Sequence, residues 1–205
     1  MKFLLHALDI SGAIFAFFST VFYVKADKWA WPIGAIATAL NIVLYGLTGI
    51  YGDMTLEGIY FLSMFYGWYQ WTRGSLAIGE LPISNLSWRL AVILSVLAAG
   101  GIWGVAELLK HFTNSQVPYL DAVTTVLSLI AQWMICKKII QTWFLWFIVD
   151  AIYVGLYLYK GIPAHSILLV IYLGLAVAGY LRWQKLMGAE KEMASFKLSK
   201  GFNYD

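Results

Sequence analysis

Charge is scarce in this chain of 205 residues. Asp, Glu, Lys and Arg make up 12% of it, where soluble domains carry about a quarter. With 61% hydrophobic residues and a mean hydropathy of +0.73, no water-soluble fold could hide the apolar surface. The solvent is a bilayer. Cysteine is almost missing: Cys136 stands alone, which excludes an intramolecular disulfide framework and a thiolate metal cluster. Histidine is nearly as rare, and His6, His111 and His165 fall in separate end or loop regions, so no shared metal site is expected. No P-loop, Gly-x-Ser-x-Gly elbow or His-Glu-x-x-His helix occurs, so neither ATP coupling within the chain nor these hydrolytic chemistries are expected. No cofactor is expected, and no nucleic acid as a partner.

What is present is long apolar runs. A membrane helix takes about 20 such residues. Runs of that length fall at 6–25, 29–50, 54–71, 88–111, 117–136, 139–160 and 163–183. They break at Lys25–Lys28, at "YGD" (Tyr51–Asp53), at Arg73–Trp88, at "KHFTNSQVP", at Lys137–Lys138 and at "KGIP". His6 and Asp9 interrupt what would be the apolar part of a signal peptide, so the first run reads as a helix that stays. The expected fold is all-α, a polytopic membrane protein with seven transmembrane helices.

Residues 9–71 lie over 121–183 without a gap. Asp9 falls on Asp121, Lys25 on Lys137, Trp31 on Trp143, Tyr45 on Tyr157, Gly49 on Gly161, Tyr60 on Tyr172, Gly67 on Gly179 and Trp71 on Trp183. Charged turns, loop glycines and helix-end aromatics in one register mark a duplicated unit. The chain then divides into a three-helix repeat (1–72), a loop and linker helix (73–116), a second repeat (117–183) and a polar tail (184–205), expected to be solvated. Three helices plus one is an even number, so both repeats enter the membrane from the same side. They are parallel, 3+1+3. In the linker helix, Ala98, Gly100, Gly101 and Gly104 allow another helix to approach closely. Lys2, Lys110 and Lys160 lie at one membrane face, and the other Lys and Arg lie at the opposite face or in the tail. The positive-inside rule then puts the N-terminus outside and the C-terminus in the cytoplasm.

Two parallel bundles facing each other enclose a cleft, and its walls should carry polar and aromatic groups. In the sixth helix Trp143, Trp146, Asp150, Tyr153 and Tyr157 share a face. Their counterparts in the second helix are Trp31, Gly34, Thr38, Asn41 and Tyr45. Asp121, Thr125, Ser128 and Gln132 make a stripe on the fifth helix. The counterparts on the first, Asp9, Ala13, Ala16 and Thr20, are thinner, so the cleft should be lopsided. Asp150 is the sharpest residue, because an ionised carboxylate at mid-span costs about 2.5–3.5 kcal/mol even on the lenient insertion scale. Either it glues two helices or it faces a wet cavity and meets a polar or cationic substrate. Trp146 and Tyr153 flank it, offering ring faces. Asn41, Gln132, Thr125 and Ser128 are the further candidates, though interhelical or backbone hydrogen bonding also accounts for such residues. Trp68, Trp71 and Trp183 lie near helix ends, where an interfacial belt would hold them; Trp183 is kept as a candidate substrate contact as well.

"WPIGAIATALNIVLYGLTGIYGDMTLEGIYFLSMFYGWYQW", "LSLIAQWMICKK" and "WFLWFIVDAIYVGLYLYKG" resemble the PnuC family of nicotinamide riboside transporters. The marks are the Trp-Pro entry, the "YGD" turn, the "GWYQW" end and the Trp-x-x-Trp-x-x-x-Asp helix. The resemblance runs from the first helix to Trp183. It implies a SWEET-like fold and facilitated diffusion of nicotinamide riboside across the bacterial inner membrane. A cytoplasmic nicotinamide riboside kinase would trap the vitamin, and the transporter would sit among membrane lipids as a homo-oligomer. Asn41, Gln132, Trp146 and Asp150 match family-like positions. A SWEET-like uniporter of a sugar, a different nucleoside or another vitamin is the alternative.

Overall fold

The computed structural model describes residues 2–73, 81–113, 115, 117–159 and 163–199, with the helix path alone at 157–159, 163–167 and 194–199. Seven helices follow one another: α1 (Lys2–Val24), α2 (Ala30–Thr48), α3 (Tyr51–Arg73), α4 (Trp88–Phe112), α5 (Pro118–Cys136), α6 (Thr142–Tyr159) and α7 (Pro163–Ser199). Local chemistry sets several ends. Gly49 closes α2 at φ 76°, a left-handed cap that glycine adopts without a Cβ penalty. The Ser87 hydroxyl accepts from Leu90 N at the start of α4. Pro118 and Asp121 occupy the first turn of α5, where a missing N–H costs nothing and a negative charge meets the helix dipole.

Four of these helices, α1, α2, α4 and α5, are long and apolar enough to cross a bilayer by that measure alone, and α6 is apolar over Thr142–Leu156. α3 carries Asp53 and Glu57 as well as apolar residues. Outward faces are apolar: Leu62 is 70% exposed, Val96 67% and Trp103 68%, a surface suited to lipid. The chain is a multi-pass membrane protein.

α7 runs sixteen residues beyond the expected span end at Trp183. The tail expected to be solvated is instead largely helix, and it docks. Glu190 Oε2 accepts from Ile83 N at 3.3 Å, and Asn85 Nδ2 reaches Met187 Sδ at 3.5 Å. Residues 200–205 lie outside the described residues.

The helix contacts form a closed circuit: α1 on α2, α2 on α3, α3 on α5, α5 on α6, α6 on α7, and α7 back on α1. α4 packs against α5 alone among the described residues, with only Ala106 buried. Gly101 meets Val126 of α5, whereas Gly100 and Gly104 face open space. One glycine of the expected stripe makes the close approach.

The repeat is visible atom by atom at the end of the ring where α1 turns into α2 and α5 into α6. Among the described residues, Ala26 (φ 57°) and Lys138 (φ 50°) are the non-glycine residues with left-handed backbone, and they occupy equivalent positions. Ser19 Oγ donates to Ala30 O at 2.8 Å, and Thr142 Oγ1 donates to Ala131 O at 2.8 Å. The same two positions are joined in each repeat, with donor and acceptor exchanged. Trp31 lies on Gly67 and Trp143 on Gly179, so closely that a Cβ at either glycine would penetrate the indole. Both tryptophans are buried, at 0% and 3% exposure.

The two halves are then tied crosswise. Trp71 Nε1 of the first repeat donates to Ile135 O of the second at 3.1 Å. Trp183 Nε1 of the second donates to Tyr23 O of the first at 2.9 Å. Tyr23 and Ile135 are themselves repeat equivalents, as are Trp71 and Trp183. Edge-to-face pairs extend the pattern, Trp31 with Trp71 at 5.3 Å and Trp143 with Trp183 at 5.5 Å, a favoured geometry for stacked rings. This aromatic knot is the core of the protein.

Candidate functional site

The polar groups of the ring interior gather where α3, α5 and α6 face one another. Tyr60 Oη donates to Ser128 Oγ at 2.6 Å, and Ser128 Oγ donates to Thr125 O at 2.9 Å. One turn toward the aromatic knot, Gln132 Nε2 donates to Ser63 Oγ at 2.8 Å, and Ser63 Oγ donates to Tyr60 O at 2.6 Å. The α5 stripe thus turns toward α3, and two of its members hold α3 in place. Ser128 and Gln132 are 5% and 7% exposed; in this conformation they bond protein. Thr125 is half-buried beside them.

Across the ring, Tyr153 of α6 lies within electrostatic reach of Tyr60. Asp150, one turn earlier, acts in the same way on Tyr172 of α7. Asp150 is half-buried and makes no hydrogen bond or ion pair among the described residues. Trp146, a further turn along, is also half-buried. Asp150, Trp146 and Tyr153 therefore each keep some exposed surface, on a helix that packs against α5 and α7.

In the first repeat, Asn41 Nδ2 of α2 donates to Glu57 Oε1 of α3 at 3.0 Å. Glu57 Oε2 is buried and has no hydrogen-bond partner. Gly12 of α1 gives the Asn41 amide its room, since a Cβ there would sit 2.5 Å from Asn41 Oδ1. This places a second carboxylate inside a helix of the ring. Sequence reading passed over it, although a lone Glu inside an apolar run is the same signal that made Asp150 conspicuous. Tyr60, Ser63 and Tyr172 were also passed over as site residues. The correspondence of Tyr60 with Tyr172 was the available clue for two of them.

Three readings need correction. Trp143 and Trp31 do not line the interior with Trp146 and Asn41; they are packed into the glycine notches of α7 and α3. Trp71 and Trp183 are not an interfacial belt, being 2% and 0% exposed. Trp183 has no surface left for a ligand, because the Tyr23 carbonyl, Trp71 and Trp143 enclose it. The side chain of Tyr157 lies outside the described residues.

Lysines collect at the knot end. Lys138, 4% exposed, places its ammonium 4.6 Å from the Trp71 ring centroid. Along the interior stretches of α2, α3, α5 and α6 there is no Lys or Arg until Arg73, at the end of α3.

Six helices doubled from one three-helix unit, closed around an interior of rings, amides and carboxylates, have the architecture of a membrane transporter. Comparison with known proteins narrows the class. The family model described as nicotinamide mononucleotide transporter matches residues 6–185, and the chain belongs to that family. It is 28% identical over 182 residues to the riboflavin/roseoflavin transporter RibM of Streptomyces davaonensis, covering 85% of this chain and 83% of that protein. It is 25% identical over 189 residues to the nicotinamide riboside transporter PnuC of Escherichia coli, covering 78% of each. With PnuC of Neisseria mucosa the identity is 28% over 207 residues, covering 82% of this chain and 77% of that one. A crystal structure of the vitamin B3 transporter PnuC superposes with a TM-score of 0.71 at 24% identity, covering 92% of this chain and 90% of that one. That likeness shows the shared fold.

Proposed function

We propose that the protein carries nicotinamide riboside across the bacterial inner membrane by facilitated diffusion, through the passage enclosed by the six-helix ring. The observation that carries the proposal is the α6 face: a half-buried carboxylate, Asp150, between the rings of Trp146 and Tyr153 on a stretch without Lys or Arg. Nicotinamide riboside has a pyridinium cation, an amide and a ribose. The rings suit stacking and cation–π contact, and the carboxylate suits the charge. Thr125 would meet the amide or the ribose, joined by Asn41, Ser128 and Gln132 once their helix-to-helix bonds open during transport.

The family's name speaks of the mononucleotide. A phosphate needs Arg or Lys, and the interior stretches supply neither, which favours the riboside. Two of the relatives above transport it. An inside-negative potential also favours entry of a cation, by about 2.3 kcal/mol per 100 mV for one net charge. Once inside, the riboside would be trapped by phosphorylation on a cytoplasmic kinase. The chain itself would act as a carrier and not as an enzyme, working as a homo-oligomer among the lipids. Its N-terminus would face outward, with the lysine-rich end and α7's C-terminus in the cytoplasm; a tag after Asp205 should then be reachable only from that side.

The second reading is a carrier of another vitamin, and the relative that transports riboflavin and roseoflavin favours it. These flavins are neutral, so they would not need Asp150. The deciding experiment is uptake of nicotinamide riboside, riboflavin and a sugar by purified protein in liposomes. Uptake of nicotinamide riboside down its own gradient, with neither a proton nor a sodium gradient imposed, is expected. Uptake of riboflavin alone would overturn the proposal. Concentrative uptake driven by either ion gradient with the voltage clamped would overturn facilitated diffusion, with Glu57 as the carboxylate to suspect.

A further inference from the structure

The two repeats differ at the lysine-rich end in what covers their first inter-helix turn. In the second repeat the turn is occupied by the segment that leads into α4. Ser84 N donates to Lys138 O at 2.9 Å, and Ile140 N donates to Ser84 O at 3.0 Å, a short parallel bridge. Leu86 N donates to Gln141 Oε1 at 2.8 Å, and Gln141 Nε2 to Asn85 Oδ1 at 3.1 Å. Ile83, 6% exposed, enters the aromatic knot. The turn of the first repeat has no such cover among the described residues. In its place is a cavity of about 370 Å³ lined by Lys25, Asp27, Lys28, Trp29, Trp71 and Lys138. Residue by residue, this is the space that Ser84 and its neighbours fill on the other side.

The chemistry of the cavity is specific. Three lysines line it, two from the first repeat's turn and one from the second's. Its single carboxylate, Asp27, accepts from Trp29 N through Oδ1 at 2.9 Å, so the lining carries more positive than negative charge. The wall opposite is aromatic, with Trp71 beneath Lys138 and Trp29 lying 5.9 Å from Trp68. Lysines beside aromatic rings suit a phosphate carried on a flat heterocycle or set at an aromatic-lined interface. The volume lies within the range of small-ligand sites, about 300–1,000 Å³.

The geometry points to a phosphate-binding site in this cavity, separate from the transport passage, with a nucleoside monophosphate or the headgroup of an anionic lipid as its source of phosphate. The side of the membrane from which it fills, and the identity of the cargo whose phosphorylated form is tested, rest on the function proposed above. Because its lysines come from both repeats, an occupant would bridge the two inter-helix turns. It would hold the lysine-rich mouth closed, so that a phosphorylated form of the cargo would slow further entry.

The test uses the full-length protein and a Lys25→Gln/Lys28→Gln variant. Both changed residues are exposed, so folding should survive. Lys138→Gln serves as a second variant, checked for folding first because Lys138 is buried. Nicotinamide mononucleotide is titrated calorimetrically, with nicotinamide riboside as the reference ligand. In parallel, thermal unfolding is followed in phosphatidylcholine vesicles with and without phosphatidylglycerol. A soluble source predicts mononucleotide binding that weakens at least tenfold in the double variant while riboside binding stays within twofold. A lipid source predicts no mononucleotide binding but a phosphatidylglycerol-dependent rise in Tm that the variant loses. If neither response differs between wild type and both lysine variants, the site does not exist. Loss of riboside transport with the mononucleotide response intact would strike the transport proposal alone.

Discussion

In the aromatic knot the two repeats agree almost position for position, and at mid-span they part. Trp31 and Trp143, Gly67 and Gly179, Trp71 and Trp183, Ala26 and Lys138 pair in position and in backbone geometry. A few turns along the same helices, Thr38 faces the position of Asp150, Asn41 that of Tyr153, Glu57 that of Leu169 and Ser63 that of Leu175. Packing and ligand chemistry have been pulled in different directions. Two copies of one helical unit can close on each other only if their joining surfaces stay complementary, which keeps the knot symmetric. A small asymmetric solute gains nothing from a symmetric site, so the interior is free to diverge.

The comparison can be broken hardest at the glycine notches. Gly67→Val and Gly179→Val should each destabilise the protein by roughly 3 kcal/mol, at the upper end of overpacking costs. Thermal or denaturant unfolding in detergent should show losses of similar size for the two, and a clear inequality would mean the knot is less symmetric than its geometry. Next come the residues that differ. Trp146→Ala should weaken nicotinamide riboside binding at least tenfold, since stacking of a base on an aromatic side chain is worth about 1–3 kcal/mol. Asp150→Asn should weaken it by a similar factor while leaving riboflavin untouched, whereas Thr38→Val at the equivalent position should change neither by more than about twofold. The Thr38 hydroxyl already donates to Gly34 O, and a backbone-bonded helix hydroxyl has little to offer a ligand. Calorimetric titration measures all of these. The smallest effects belong to the crossed indole bonds. Trp71→Phe and Trp183→Phe should each cost about 1 kcal/mol, the usual worth of one hydrogen bond, and should match each other in an unfolding assay.

The fold was legible because membrane helices announce themselves by length, and duplication by register. Six of seven span ends lie within a few residues of the helices observed. The seventh, α7, runs on past Trp183 because its extension finds a partner in residues 83–85, a contact between distant parts of the chain that no local pattern encodes. The α6 face with Asp150 was equally plain, since a charge inside an apolar run has few explanations. Helical spacing then misled about its neighbours. Residues three and four apart share a face, but a face about 100° wide or more has two edges, and Trp143 lies on the edge that meets Gly179 of α7. The tryptophans of the knot were misread for a related reason. An indole at a helix end suits a lipid interface or a buried contact equally well, and only the position of the opposite repeat decides between them. Glu57 was within reach of the same logic as Asp150, yet its partnership with Asn41 depends on how α2 and α3 meet.

The crossed bonds from Trp71 to Ile135 and from Trp183 to Tyr23 carry a consequence for biogenesis. The last helix of each repeat completes the first helix of the other, so the first three-helix unit is unfinished when it leaves the ribosome. The carbonyl at Tyr23 must wait through nearly the whole of translation for its indole. Insertion can proceed span by span, but maturation is a single late event, and a chain stalled before Trp183 would be retained by the membrane without ever reaching its working form.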